Sequence, residues 1–137
     1  MPYPGAMEFM RAVSLQSPGS LTLQSRPVPR VQPREVLLAV EATTLCGTDL
    51  RIATGQKKVG VTPGVVLGHE IAARVWRIGE QLTPGVDVPP VGTQVGLAPE
   101  IPCGTCAPCS AERSNVCAHM RLFGTGVDGG LADFILV

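Results

Sequence analysis

Four cysteines crowd into fifteen residues as Cys103-x2-Cys106-x2-Cys109-x7-Cys117, a spacing too tight to staple distant parts of a small fold. Metal binding is the better reading. Four thiolates at about 2.3 Å complete a closed tetrahedral zinc shell, which leaves no position for a substrate, so the expected role is structural. Gly104 and Pro108 help the backbone turn back between ligands. An iron-sulfur cluster is the sharpest rival, because Cys-x2-Cys-x2-Cys also opens a ferredoxin motif. Such a motif needs its last cysteine after three residues and before a proline, whereas Cys117 follows seven residues and precedes Ala118. A nucleic-acid-binding zinc ribbon needs two Cys-x2-Cys knuckles about 15–20 residues apart and a basic surface, and the chain offers neither.

The fifth cysteine lies in Leu45-Cys46-Gly47-Thr48-Asp49 and a histidine in Leu67-Gly68-His69-Glu70, each just outside an expected strand. A thiolate and an imidazole, with water and one further donor, would make an open zinc site able to act on a ligand. By itself the pair equally fits a packed cysteine and a satisfied polar histidine, or a Cys/His hydrolytic dyad.

Stepping outward, the strands that must position these groups are short. Thirteen prolines and sixteen glycines punctuate β-branched runs, which favours many brief strands over long helices. Strands are expected at 10–15, 21–25, 36–42, 65–67, 71–78, 93–97 and 131–137. The second should follow a turn at Ser17-Pro18-Gly19, and the third should lie centrally. Further turns are expected at Thr62-Pro63-Gly64, Thr83-Pro84-Gly85 and Pro89-Pro90. Short helical turns are expected at Gly47–Ala53 and around Ala111–Asn115. The expected fold is mainly β, a barrel or sandwich with a loop lobe.

At 137 residues and 45% hydrophobic content the chain fits one domain with its own core. Eleven basic and eleven acidic residues leave no net field for nucleic acid or an anionic membrane. The apolar stretch Val88 to Pro99 is far below the roughly 20 residues of a membrane span. The start, MPYPGAMEFMRAV, lacks the features of a secretory signal, which makes the cytoplasm the expected location. Residues 1–9 read as an N-terminal extension or cloning remnant and 10–137 as the domain; the apolar end LADFILV reads as a strand missing a neighbour.

Cys-Gly-Thr-Asp, Gly-His-Glu, the four-cysteine loop and Asp128-Gly129-Gly130-Leu131-Ala132-Asp133 occur in the order and spacing of zinc-dependent medium-chain alcohol and polyol dehydrogenases. From about Met10 to Val137 the chain resembles that family's N-terminal GroES-like catalytic domain, a partly open β-barrel with a zinc-binding loop lobe. The resemblance implies Cys46 and His69 as ligands of a catalytic zinc, Glu70 as an alternative ligand, and Cys103, Cys106, Cys109 and Cys117 as ligands of a structural zinc. It implies that Thr48 hydrogen-bonds the substrate hydroxyl and that Asp49 orients His69. It further implies oxidation of a small-molecule alcohol with hydride transfer to NAD(P).

In that family a third zinc ligand and the Rossmann cofactor domain would follow Val137, so NAD(P) binding is expected only in a longer form. The catalytic zinc is then expected to be partly occupied and this fragment inactive. Assembly into a homo-oligomer is compatible with the reading. Gly124-x-Gly126-x-x-Gly129 matches a dinucleotide fingerprint but is rejected, because no room remains for the required helix and acidic residue; its glycines are expected to permit turns. Arg51 stands where many relatives carry a relay histidine, a role a guanidinium cannot fill. Ala73 replaces a usual glycine, and Thr93 a common aspartate. His119, Met120, Phe123 and Trp76 are candidates for a substrate cleft and equally for packing. The reading from a different class is a non-enzymatic, zinc-stabilised GroES-like interaction module.

Overall fold

The computed structural model describes residues 8–82, 85 and 87–137. Residues 1–7 of the expected extension and most of the expected Thr83-Pro84-Gly85 turn lie outside them.

The chain opens with β1 (Phe9–Ser17) and β2 (Ser20–Pro27), an antiparallel hairpin. The Ser17-Pro18-Gly19 turn joins them, with Gly19 at φ +81°, where a residue without Cβ is at ease. Strand β3 (Val36–Thr44) follows, then helix α1 (Gly47–Ala53) and β4 (Glu70–Ile78). Next come β5 (Gln94–Leu97) and the two-residue β6 (Glu100–Ile101), then the four-residue α2 (Ala107–Ser110). After a 3-10 turn at Ser114–Val116, β7 (Arg121–Leu122) and β8 (Phe134–Leu136) complete the order.

Among the described residues one sheet runs β5-β4-β3-β8, all antiparallel, with β3 interior. That position explains the near-continuous apolar run of β3: Val36 and Leu38 pack on one side with Ile71, Val75 and Ile135, and Leu37 and Ala39 on the other with Met10 and Phe134. A strand buried on both faces has no use for a polar alternation. The pair β6-β7 forms the neck of the loop that carries the four cysteines.

The hairpin closes onto the rest through the free edge of β1. Val13 N–H donates to Leu131 O (2.8 Å), Leu15 N–H to Val65 O (2.9 Å) and Asp133 N–H to Arg11 O (3.0 Å). Isolated bridges Ala12↔Ala132 and Ser14↔Val66 mark the same seam. The result is the expected strand-rich, partly open barrel.

Several details differ from the sequence reading. Residues 65–67 contribute one bridge instead of a strand, because they serve both the hairpin and the 129–131 segment at once. The helical turn expected around Ala111–Asn115 appears as two pieces that flank it, the 3-10 turn at Ser114–Val116 and α2 at Ala107–Ser110, with Pro108 in the first turn of α2 where a missing N–H costs nothing. The apolar end forms edge strand β8: Val36 and Val137 exchange both backbone hydrogen bonds, at 2.8 and 2.9 Å, Phe134 and Ile135 are buried, and Val137 is exposed.

Of the rejected fingerprint's glycines, Gly124 and Gly126 lie in the expected turn, while Gly124 and Gly129 also permit close packing. A Cβ on Gly129 would lie 2.0 Å from Gly68 O and 2.7 Å from Leu67 O, both backbone atoms that cannot swing aside. Gly124 meets the Gly68 backbone at 2.9–3.0 Å, while Gly130 meets the Ile71 side chain at 2.5 Å. Of the three glycines in the fingerprint, Gly124 alone has a positive φ, +71°. Gly129→Ala should therefore cost more than about 3 kcal/mol through overpacking. Gly19→Ala, with open space around it but a left-handed backbone, should cost about 1–2 kcal/mol. Urea denaturation of both variants checks this, and equal midpoints would contradict the close approach.

Candidate metal centres

The loop between β6 and β7 has almost nothing apolar to hold it. None of the residues of α2 or the 3-10 turn is buried, and Val116 is half exposed. Its four sulfurs nevertheless converge: Cys106–Cys109 and Cys103–Cys117 lie at 3.5 Å, Cys106–Cys117 at 3.8 Å, and all four within 4.8 Å of one another. These separations are far beyond the roughly 2.05 Å of a disulfide. They match the roughly 3.8 Å between sulfurs that share one tetrahedral ion through 2.3 Å bonds.

Donors ring this cluster. The N–H groups of Cys103 and His119 both donate to Cys117 Sγ at 3.3 Å. The backbone N–H of Thr105, then that of Cys106 and the Thr105 hydroxyl, hold the Cys103 thiol down at about 5. Backbone donors from Cys109 and Ala118 also lower Cys106. Desolvation and the neighbouring sulfurs of Cys106 and Cys117 push Cys109 up to about 12. One set of thiols thus spans opposite extremes, because four thiolates cannot share so small a space without a cation between them.

The second cluster is built from two segments that the fold brings together. Cys46 is the N-cap of α1, and its Sγ accepts from Thr48 N–H at 3.2 Å. Asp49, three residues on, returns its Oδ2 to the Cys46 N–H at 3.0 Å, which closes a capping box. Two turns of helix are marginal alone, and Ile52, 1% exposed among Leu15, Val65 and Leu67, anchors this one.

The other segment, Gly68-His69-Glu70, is held to the first by the same buried Asp49, whose Oδ1 accepts Gly68 N–H at 3.2 Å. Gly68 itself, at φ +86° and with Thr43 Oγ1 only 2.9 Å from where a Cβ would sit, leaves no room for a side chain. His69 Nε2 then lies 3.3 Å from Cys46 Sγ, while Nδ1 lies 3.5 Å from Asp49 Oδ1. That second approach is within ion-pair reach but is not aligned as a hydrogen bond, so the buried Nδ1 has no partner.

An ion bound at Nε2 would place the ring proton on Nδ1, facing the Asp49 carboxylate, and would explain both contacts. The 3.3 Å gap is close to the roughly 3.5 Å expected for sulfur and nitrogen sharing one zinc. Glu70 joins them, its carboxylate within 4.8 Å of both. This cluster has three protein donors against four in the loop, which leaves a coordination position open. The side chains present therefore fit a metal in both clusters.

Other candidates fall elsewhere. Thr48 is half-buried beside Cys46, and Arg51 is exposed in the last turn of α1. Phe123 is core, and Trp76 packs against Phe134 with ring centroids 5.8 Å apart. His119 is exposed on the cysteine loop and Met120 half-buried. A cavity of about 640 Å³ lies among Met10, Leu97, Phe123 and Ile135, and none of the cluster residues borders it. Sequence reasoning passed over Thr44, whose hydroxyl donates to Glu70 Oε2, since a threonine ending an apolar strand gives no sign of its cross-strand partner.

In the metal-free, reduced chain at pH 7, Cys103 should be ionised and Cys109 protonated. Iodoacetamide should then label Cys103 more than about tenfold faster than Cys109, even after allowing for the weaker nucleophilicity of a low-pKa thiolate. Cys103 labelling should fall as pH drops through about 5, whereas Cys109 labelling should keep rising towards about 12. Peptide mapping by mass spectrometry checks the order; added zinc should protect all four.

Residues 32–137 match the family model described as the alcohol dehydrogenase GroES-like domain. The chain is 34% identical over 128 residues to an uncharacterised zinc-type alcohol dehydrogenase-like protein of Haemophilus influenzae, covering 93% of this chain and 36% of that one. It is 35% identical over 133 residues to the L-threonine 3-dehydrogenase of Thermococcus kodakarensis, covering 95% and 37%. The solved short chain alcohol dehydrogenase of Escherichia coli CFT073, complexed with NADH, superposes with a TM-score of 0.82 at 30% identity, over 96% of this chain and 36% of that one. The chain thus spans little more than a third of the length of these relatives.

Proposed function

The chain belongs to the alcohol dehydrogenase GroES-like family of zinc-dependent medium-chain dehydrogenases, and on that premise we propose that it is the catalytic-domain portion of an NAD(P)-linked alcohol or polyol dehydrogenase. One observation carries the reading: the fold assembles both an open cluster of Cys46, His69 and Glu70 and a closed cluster of four cysteines. The closed set would hold a structural zinc in place of the core that the loop lacks. The open set would hold a catalytic zinc, with a further ligand from a downstream segment or water.

A zinc bound at the open set supplies Lewis acidity towards a substrate hydroxyl. The surrounding residues prepare that position. Asp49 keeps Cys46 and His69 facing each other, and its Oδ1, 3.5 Å from His69 Nδ1, would accept the ring proton once Nε2 binds the ion. Thr48, in the first turn of α1 beside the sulfur, would accept the substrate hydroxyl proton and pass its own outward. Arg51 cannot continue that path as a base, so the proton would leave by another route.

Leu45, adjacent in sequence to Cys46, and Leu50 of α1 are both about two-thirds exposed, apolar surface suited to the carbon skeleton of an alcohol or to a covering Rossmann domain that supplies NAD(P). A nicotinamide cofactor would be held by that second domain: Gly129 packs against Gly68 and leads into β8, not into a phosphate-binding helix. Among the described residues no helix is long and apolar enough to cross a membrane. Five unpaired cysteines fit a reducing compartment, and we place the protein in the cytoplasm.

The test is the complete reading frame, expressed and assayed on a panel of alcohols and polyols with NAD and NADP. Two zinc ions per chain are expected. Cys46→Ser should abolish turnover and remove one ion, and Thr48→Ala should lower kcat by about 10²–10⁴ with both ions kept. If the complete protein oxidises none of the panel and Cys46→Ser leaves its metal content unchanged, the interaction-module reading wins.

A further inference from the structure

Glu70 is exposed, and a free glutamate there would sample many rotamers, few of them facing Cys46 and His69. Its surroundings restrict it. In the β3–β4 register Thr44 lies directly opposite Glu70, so the two side chains share a face of the sheet. The Thr44 hydroxyl donates to Glu70 Oε2. One residue back and on the opposite face, the Thr43 hydroxyl donates to the Glu70 backbone oxygen at 3.1 Å. Consecutive threonines thus secure both ends of the same glutamate. A carboxylate has lone pairs to spare, so one oxygen engaged by a hydroxyl leaves the other free for an ion.

We propose that Thr44 is a positioning residue for the Cys46–His69–Glu70 centre, holding Glu70 by Oε2 so that Oε1 faces the metal. The inference rests on the metal-centre reading above. The arrangement follows from register: the hydroxyl sits at the end of β3, paired with β4 directly opposite Glu70, which makes it a more rigid anchor than water. Serine could do the same, whereas valine keeps the shape and loses the donor.

The experiment titrates Co(II) into the 137-residue chain with its four-cysteine site loaded with zinc, following the visible absorption band and the dissociation constant. Thr44→Val should weaken binding about tenfold or more and shift the band, as loss of an outer-shell partner does. Thr44→Ser should restore both. Valine suits a strand, so the fold is expected to survive. In a Glu70→Gln background, Thr44→Val should add nothing further, because the two act as one unit. Binding by Thr44→Val within about twofold of the unchanged chain, or an equal loss in the Glu70→Gln background, overturns the proposal. A flat Thr44→Val response beside a clear loss in His69→Ala sinks this inference alone. No Co(II) uptake outside the four-cysteine site sinks the catalytic-metal reading and this proposal together.

Discussion

The buried carboxylate of Asp49 ties together two parts of the chain that also meet through the packing of Ile52 on Val65 and Leu67. One oxygen caps α1 through the Cys46 N–H, and the other accepts the Gly68 N–H and faces the His69 ring. A charge that is 3% exposed is tolerable only when such donors surround it, and removing any of them leaves it costly. The same bonds that satisfy the carboxylate therefore hold the thiol and the imidazole face to face. Fold and site share one constraint.

Around that tie the chain packs backbone against backbone. Gly68, Gly124, Gly129 and Gly130 meet where a Cβ on any of them would press into a neighbour. Asp128 adds a second clamp: its Oδ1 accepts Val66 N–H at 2.9 Å and its Oδ2 pairs with Arg26 of β2 at 3.0 Å. The segment that ends in His69 is thereby gripped by the hairpin, by the 128–131 turn and by α1. Such over-determination suits a ligand whose ring must not rotate freely.

The two candidate metal centres contrast in how they are built. In the cysteine loop the four sulfurs come from one short stretch, no residue of α2 or the 3-10 turn is buried, and an ion would supply the cohesion that a core supplies elsewhere. At the other centre the scaffold exists first: Ile52, Leu67 and Val65 fix the supporting segments, and the donors follow. An ion would therefore add cohesion in the first and fill a cluster already formed in the second.

Much of this was legible in the residues themselves. The 2, 2, 7 spacing of the cysteines is a property of one loop, so sulfur convergence there needs little help from the rest of the chain. The apolar run at Val36 announced an interior strand, and Ser17-Pro18-Gly19 a hairpin, because both are local consequences of burial and backbone freedom. Other features were decided only by tertiary structure. Whether Glu70 faces Thr44, and whether Cys46 faces His69 across 23 positions, depends on a strand register in which a slip of one residue would turn every side chain to the opposite face. The true work of Gly129, close packing against Gly68, and the division of the loop helix into two pieces depended likewise on neighbours distant in sequence. Sequence sets what a segment can donate; contacts between distant segments decide which donors meet.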